Sequence, residues 1–203
     1  WHGDDWRLMI DFLVSKPNEA AYILPISWVP TTTGVGPVAA DGRPRYTRNT
    51  NDFLLTNAEE KGWARTLSLA LSKDYNNGID WAAGYAFTQA KDVNPMTSSV
   101  AFSSFANFQT YDVLNPELGT SDYVIPHRFT FNVNFRKEFF GEYATKASLF
   151  ATANEGAPYS YTIGSNSAFT SFTNSSRELA YIPDGINDPA ISPSSNATAV
   201  QNL

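Results

Sequence analysis

The chain has 203 residues, no cysteine, and 14 basic against 20 acidic side chains, which gives a net charge of −6. The lack of cysteine excludes disulfides, zinc–thiolate sites and thiol nucleophiles, and an acidic chain without a basic cluster is not expected to bind nucleic acid. Aromatic residues make up 14% of the sequence, which favours pleated, half-buried β-structure over a helical bundle.

Hydropathy alone predicts no membrane-spanning helix, because no stretch approaches about 18 consecutive apolar residues. The first residues also lack the charged-then-apolar profile of a secretory signal. Strands that cross a bilayer alternate apolar and polar residues, so a hydropathy average over a window of residues does not detect them. The period of the pattern is therefore the more informative signal.

Five segments alternate apolar and polar positions with a period of two, as β-strands with one apolar face do. In chain order they are Trp6–Ser15, Trp63–Lys73, Ile79–Thr88, Arg128–Arg136 and Tyr143–Asn154. The fourth is the most regular, whereas in the fifth Lys146 and Ser148 share a face with Phe150. Each is about as long as the 9–11 residues that a tilted strand needs to cross a bilayer.

The connections between these segments alternate in length. Residues 73–78 and 137–142 form short turns, and the first contains an Asn-Gly pair that favours a tight hairpin. Residues 16–52, 92–121 and 155–203 form long connections rich in Pro, Gly, Ser and Asn. Bacterial outer-membrane barrels combine short periplasmic turns with long external loops in this way.

Aromatic residues cluster near the proposed periplasmic ends of the segments, where rings often form an interfacial girdle. They are Trp6, Trp81, Phe135, Phe139, Phe140 and Tyr143. The sequence therefore predicts an all-β fold, an antiparallel transmembrane β-barrel segment with about five long strands. Because bacterial barrels have an even number of strands, from about eight upward, we expect the chain to be incomplete on its own. A fragment of a longer polypeptide is favoured over pairing with other chains.

Six short segments carry a resemblance through their order and spacing. They are Asp41–Tyr46, Asn57–Gly62, Lys91–Pro95, Asn115–Leu118, Ser121–Phe129 and Ala157–Tyr161. Together they resemble an Oar-like TonB-dependent receptor. The resemblance implies a barrel of about 22 strands with an N-terminal plug domain and a TonB box, and it makes residues 1–203 part of the C-terminal half of the barrel. The plug and both barrel ends would lie outside the chain.

The resemblance also implies a location and a set of partners. The location is the bacterial outer membrane, and the partners are the lipid bilayer, the rest of the barrel, the plug domain, the TonB complex and an unidentified small-molecule or peptide ligand. The function would be energised uptake of a scarce nutrient or peptide. No enzymatic activity, cofactor or nucleic-acid partner is expected.

Two groups of residues are candidates for ligand contact. Polar residues of the strands would face the lumen and contact a plug or a substrate, or would simply be wetted: Arg7, Asp11, Asp80, Arg128, Asn132, Asn134, Arg136 and Lys146. Aromatic residues of the long connections would meet a ligand first, or would pack against neighbouring loops: Phe102, Phe105, Phe108, Tyr111, Tyr159, Tyr161, Phe169 and Phe172.

Metal chemistry has little support in the sequence. Asp184, Asn187 and Asp188 offer hard oxygen ligands for a weak calcium site, but a pair of Asx-type turns explains them better. His127 follows Pro126 at the start of a predicted strand and is expected to be structural.

Two other function classes remain open at this point. A passive porin or a surface adhesin uses the same strand pattern without energy coupling. A soluble secreted β-sandwich would bind glycans through exposed aromatic residues.

Overall fold

A computed structural model describes residues 2–3, 6–31, 38–39, 41–47, 50, 52–141, 143–162, 178–185 and 187–189. Its elements are almost all strands, in the order β1 His2–Gly3, β2 Trp6–Ser15, β3 Ala21–Pro25, β4 Val29–Pro30, β5 Tyr46–Thr47, β6 Phe53–Asn57, β7 Trp63–Tyr75, β8 Ile79–Asp92, α1 Ala101–Ala106, β9 Gly119–Thr120, β10 His127–Phe140 and β11 Tyr143–Asn154. Within this part of the chain, no helix is long and apolar enough to cross a membrane.

The chain divides into two compact units. The first contains residues 1–18, 61–92 and 118–159, and the second contains residues 19–60, 93–117 and 160–203. The five predicted strands all belong to the first unit. The predicted long connections supply most of the second unit, and they contain strands and a helix of their own.

The first unit is one antiparallel sheet with the strand order β1-β2-β7-β8-β10-β11, and β9 pairs with the end of β8. The predicted all-β fold with antiparallel pairing is therefore confirmed. The bounds of β2 and β11 are those predicted. The other three long strands run one to four residues further than predicted at one or both ends, because polar residues such as Asp74 and Gln89 continue the ladder.

Both short turns lie at the same end of this sheet. In the first, Gly78 has φ +86° and its N–H donates to the carbonyl of Tyr75 at 3.2 Å. A Cβ at Gly78 would lie 1.9 Å from the carbonyl oxygen of Arg136, so only glycine fits this close approach of β8 and β10. In the second turn Gly141 also has a positive φ, +64°.

The opposite end of the sheet is where the chain leaves it. Ser15 at the end of β2 pairs with Ala64 near the start of β7, and Arg128 at the start of β10 pairs with Asn154 at the end of β11. The segments after β2, β8 and β11 therefore all leave the sheet at the end remote from the turns. The predicted short connections therefore lie at one end of the sheet, and the predicted long connections leave from the other end.

The second unit has its own hydrophobic core. Ile23 on β3, Tyr46 on β5 and Phe105 and Ala106 on α1 are buried together with Trp28 and Val113, and Phe53, Met96 and Leu114 lie against them. The rings of Trp28 and Phe105 meet edge to face with centroids 5.4 Å apart, a favourable geometry for aromatic pairs. β3 pairs with β6, and β4 pairs with β5.

Candidate functional site

The sheet of the first unit has one polar and one apolar face. Directly opposite residues share a face, so the strand register assigns each side chain. The polar face carries Arg7, Asp11, Ser68, Ser72, Asp74, Asp80, Thr88, Arg128, Thr130, Asn132, Asn134, Arg136, Lys146, Ser148 and Thr152. All eight strand residues predicted to face a lumen therefore lie on one face. Its large apolar members, Met9, Leu13 and Phe150, are confined to β2 and β11.

Charged groups on the polar face are paired near the turns. Asp74 and Asp80 are directly opposite each other on β7 and β8, a repulsive arrangement for two carboxylates. Arg7 forms an ion pair with Asp74 at 3.0 Å, and the side-chain amide of Asn134 donates to Asp80 at 2.7 Å. Each carboxylate thus has its own partner on the polar face.

Two cations lie next to this cluster. Arg136 and Lys146 are directly opposite each other on β10 and β11, and neither forms an ion pair or side-chain hydrogen bond with the described residues. Like charges in register repel. An anionic group on this side of the sheet would lower their free energy.

Arg128 lines a cavity of about 390 Å³ on the polar face, at the end remote from the turns. Its other lining residues are Ala86, Thr88, Ala90, Ser121, Tyr123, Val124 and Ile125. The guanidinium of Arg128, the hydroxyl groups and the exposed ring of Tyr123 supply a charge, hydrogen-bond partners and a stacking surface. Asp122 lies in the same segment, and partial burial and the charge of Asp92 raise its pKa.

The apolar face carries Leu8, Ile10, Phe12, Leu67, Leu69, Leu71, Trp81, Ala83, Tyr85, Phe129, Phe131, Val133, Phe135 and Leu149. They form five rows across the strands, from the row of Phe12 to the row of Tyr75. The side chain of Phe12 is 68% exposed and that of Ile10 is 62% exposed. Among the described residues nothing covers these two side chains of β2.

The apolar face ends in aromatic and basic residues near the turns. Trp6 and Trp81 meet edge to face with centroids 5.8 Å apart, and Phe135 lies 6.0 Å from Phe139. Phe140 and Tyr143 are exposed beside them. All six predicted girdle residues therefore lie at the turn end of the sheet. The ammonium of Lys73 lies 4.4 Å from the ring centroid of Trp6.

The other end of the apolar face also carries cations and rings. The guanidinium carbon of Arg65 lies 5.1 Å from the ring centroid of Trp63, and its Nε donates to Gln89 Oε1 at 2.8 Å. His127, the first residue of β10, has its Nδ1 2.7 Å from the Tyr85 hydroxyl, and its ring lies 5.1 Å from that of Phe87. These contacts favour the structural role expected for His127.

The aromatic residues of the long connections divide into buried and exposed groups. Phe105 and Phe108 are buried at 0% and 8% exposure, so these two candidates pack within the second unit and do not present a surface to a ligand. Phe102, Tyr111, Tyr159 and Tyr161 are exposed. Phe169 and Phe172 lie outside the described residues.

Tyrosine hydroxyls anchor the segment that follows Phe108. Tyr46 donates to Asp112 Oδ1 at 2.8 Å, and Tyr22 donates to the carbonyl of Val113 at 2.8 Å. Burial alone would raise the pKa of Asp112, but hydrogen bonds from Asn115, the Leu114 N–H and Tyr46 lower it. Burial and the same hydrogen bond raise the pKa of Tyr46. The Asp112 carboxylate thus closes the 112–115 turn.

Asp41 and Arg43 form a buried ion pair at 2.7 Å, with both side chains 2% exposed. Tyr111 covers the guanidinium at 5.1 Å and donates its hydroxyl to the carbonyl of Asp41 at 2.7 Å. Burial and the charge of Asp41 raise the pKa of Tyr111. Tyr111 therefore has structural contacts through its ring and its hydroxyl, although the residue is 39% exposed.

The weak calcium candidate forms a turn closed by its own hydrogen bonds. Asp188 Oδ2 accepts the N–H of Asp184 at 2.8 Å and also the hydroxyl of Tyr181, which raises the pKa of Tyr181 to about 12. Among the described residues there is no group of three or more His, Cys, Asp or Glu side chains arranged to hold a metal ion. The acceptor Asp188 follows the donor Asp184 by four residues, whereas an Asx turn accepts an N–H two residues later, so this hydrogen bond is not of the predicted Asx type.

Several residues around these sites were not predicted as site residues, although Lys91, Ser121 and Tyr123 lie in segments that carry the family resemblance. Thr88, Ser121 and Tyr123 join Arg128 only because the 121–126 segment folds beside β8. Lys91 shares the face of Arg65 because β8 continues to Asp92. Extending the alternation four residues past Thr88 would have found Lys91, but no periodic signal marks the 121–126 segment.

Comparison with protein-family models, with curated proteins and with solved structures gave no match to this chain.

Proposed function

We propose that this chain forms part of the wall of a bacterial outer-membrane β-barrel, and that the barrel is a TonB-dependent transporter. In this proposal the apolar face of the sheet contacts lipid and the polar face lines the lumen. The turns are periplasmic and the long connections are external. The transporter takes up a scarce nutrient or a peptide, with no enzymatic step.

The separation of the two faces carries this proposal. Eight predicted polar positions on four strands share one face, while the opposite face is apolar over five rows except for Lys73 and His127. Rows on one face of a strand are about 6.7 Å apart, so the five rows span about 27 Å along the strands. A tilt of about 40° leaves about 20 Å of height, close to the apolar band of about 25 Å in outer-membrane barrels.

The borders of the apolar face support the same role. Trp6, Trp81 and Lys73 lie at one border, and Trp63 and Arg65 lie at the other. Aromatic and long basic side chains prefer membrane interfaces, because an apolar stem or ring can remain in lipid while the polar end reaches water.

The open edges of the sheet support membership of a larger barrel. Among the described residues no strand pairs with the outer edge of β11, and β1 covers only two residues of β2. Unpaired backbone groups are costly in lipid, so further strands would continue the sheet at both edges. The TonB-dependent assignment is supported by the resemblance of the six short segments, which also implies a plug domain.

A β-sandwich fits these observations less well. In a sandwich the apolar faces of two sheets pack against each other. Here Phe12, Ile10, Val14 and Leu149 on the apolar face are each more than half exposed.

Labelling at two adjacent alanines tests insertion of the sheet. The chain has no cysteine, so Ala82→Cys and Ala83→Cys each create one labelling site on β8, on opposite faces. After attachment of a nitroxide in lipid vesicles, we expect the label at position 83 to collide with dissolved oxygen and that at position 82 with a water-soluble nickel chelate. Equal access of the nickel chelate to both positions would rule out a lipid-facing apolar face.

A second experiment tests energy coupling. Ligand uptake by cells that produce the complete protein should stop when a protonophore dissipates the inner-membrane proton gradient, because TonB-dependent import uses that gradient. Uptake that continues undiminished would indicate a passive porin instead.

A further inference from the structure

A cavity of about 450 Å³ lies on the apolar face at the end remote from the turns. It forms where the pairing partner of β8 changes from β10 to β9. The 121–126 segment borders the cavity. Its lining residues are Trp63, Arg65, Phe87, Thr88, Gln89, Ala90, Lys91, Thr120, Val124, Pro126, His127 and Glu155. It shares Thr88, Ala90 and Val124 with the Arg128 cavity, but its basic residues and its rings lie on the opposite face of the sheet from Arg128.

Two cations reach this cavity from adjacent positions. Arg65 is opposite Gln89, and Lys91 is opposite Trp63, so the two basic residues are diagonal neighbours about 7–8 Å apart. Gln89 uses two of the five N–H donors of Arg65. The Lys91 side chain forms no ion pair or hydrogen bond with the described residues. Donors from both side chains therefore remain available to one anionic group.

The acidic residue of the lining, Glu155, lies next to a histidine of the same lining. Glu155 Oε2 lies 3.7 Å from His127 Nε2, on the side of the cavity formed by β10. His127 in turn contacts the Tyr85 hydroxyl. The carboxylate of Glu155 thus lies on the His127 side of the cavity, and the two basic residues lie on the side formed by β7 and β8.

Along the strands, the lining residues change from basic to apolar. The row of Trp63 and Lys91 comes first, the row of Arg65 and Gln89 second, and the row of Leu67 and Phe87 third. Beyond that row the face is apolar. A ligand that follows this order has an anionic head at the cations and an apolar tail along the face.

We propose that this cavity holds the phosphate-bearing headgroup of a membrane lipid, with its acyl chains lying along the apolar face. The inference rests on the proposed insertion of the sheet in a membrane. The phosphate lies between Arg65 and Lys91, because a guanidinium and an ammonium complement a phosphate in charge and hydrogen bonding. Trp63 and Phe87 border the region where the headgroup joins the acyl chains.

Native mass spectrometry in detergent tests the proposal on the protein itself. The protein is titrated with phosphatidylglycerol and with phosphatidylcholine that have the same acyl chains, and bound lipids are counted. We expect preferential binding of phosphatidylglycerol, whose phosphate charge is not offset by choline. The combined variant Arg65→Gln, Lys91→Gln should weaken that binding about 25-fold, since each basic residue near an anionic lipid contributes about fivefold.

A matched variant controls for overall charge. Arg136→Gln combined with Lys146→Gln removes one arginine and one lysine charge from the polar face, at residues that line neither cavity, and it should leave the lipid preference unchanged. An equal loss in both double variants, or equal binding of the two lipids, would overturn the proposal. Competition by inorganic phosphate as effective as that by phosphatidylglycerol would indicate a soluble anion, which also overturns it.

The labels at positions 82 and 83 separate this inference from the proposed function. If position 83 is in contact with lipid and phosphatidylglycerol is not preferred, the sheet is inserted and the headgroup site is wrong. If position 83 is not in contact with lipid, the proposed function and the headgroup site both fail.

Discussion

The ammonium of Lys73 lies 4.4 Å from the ring centroid of Trp6, the residue directly opposite it on the neighbouring strand. Tyr75 contacts the same ammonium at 4.8 Å. One cation thus joins two aromatic residues at the border of the apolar face, where the charge can reach water and the rings can remain in a less polar environment.

Removal of the Lys73 ammonium should destabilise the sheet at the end where the turns lie. We expect Lys73→Ala to lower the free energy of unfolding by about 0.5–2 kcal/mol, the range of cation–π contacts, in urea unfolding of the protein in lipid vesicles. Lys73→Arg should retain most of the stability, because a guanidinium also binds a ring face. If the arginine variant is as unstable as the alanine variant, the ring contacts contribute nothing.

A charge on either face of β7 should have very different effects. Leu69→Arg introduces a cation into the apolar face, and with the sheet inserted as proposed we expect it to cost about 2–4 kcal/mol, the cost at the midplane of outer-membrane barrels. Ser68→Arg is the matched control on the polar face, directly opposite Asp11, and it should change stability by less than about 1 kcal/mol. Both are measured by urea unfolding in vesicles, and equal costs would contradict the assignment of the faces.

The two turn glycines should differ in their tolerance of alanine. Both have positive φ, which costs a non-glycine residue about 1–2 kcal/mol. Gly78→Ala also places a Cβ against the Arg136 carbonyl, whereas a Cβ at Gly141 has no atom within 4 Å. We therefore expect Gly78→Ala to be more destabilising than Gly141→Ala in the same unfolding assay. Equal losses would mean that backbone conformation alone requires the glycines.

The Tyr46–Asp112 hydrogen bond should give the protein a pH-dependent stability. Because the pKa of Asp112 is lowered on folding, its contribution is present above the unfolded pKa of about 3.9 and is lost as the pH falls through the folded pKa. Tyr46→Phe should therefore cost about 1.5–3 kcal/mol at pH 7 and less at a pH below the folded pKa.

Tyr22→Phe is the matched control for this effect. The Tyr22 hydroxyl donates to a neutral backbone carbonyl, that of Val113, so its loss should cost about 0.5–1.5 kcal/mol at either pH. Thermal unfolding of both variants at pH 7 and at low pH measures the difference. A cost for Tyr46→Phe that does not change with pH would show that Asp112 is not charged in this contact.

The strands and their faces could be predicted from the sequence, because a period of two is a local property of the chain. Trp6–Ser15 and Tyr143–Asn154 were predicted with their observed bounds. The ends of β7 and β8 were predicted too short, since residues such as Asp74 and Lys91 resemble loop residues although they continue the hydrogen-bond ladder. The period carries no information about residues whose pairing extends past the apolar pattern.

The core of the second unit could not be predicted in this way. Ile23, Tyr46, Phe105 and Val113 come from segments far apart in sequence, and no periodic pattern links them. Phe105 was therefore interpreted as a loop residue that would meet a ligand or pack against a neighbouring loop, and it is in fact fully buried on α1. Its burial depends on tertiary contacts that short-range patterns do not encode.

The placement of both tight turns at one end of the sheet also bears on how the chain folds. The β7–β8 hairpin closes a loop from Tyr75 to Ile79, whereas the first pair of β2 and β7 closes one from Ser15 to Ala64. About four doublings of loop length, at about 0.6 kcal/mol each, make the second closure about 2.4 kcal/mol more costly in chain entropy. The hairpins β7–β8 and β10–β11 are thus the units expected to nucleate, and β2 joins a surface that they have already formed.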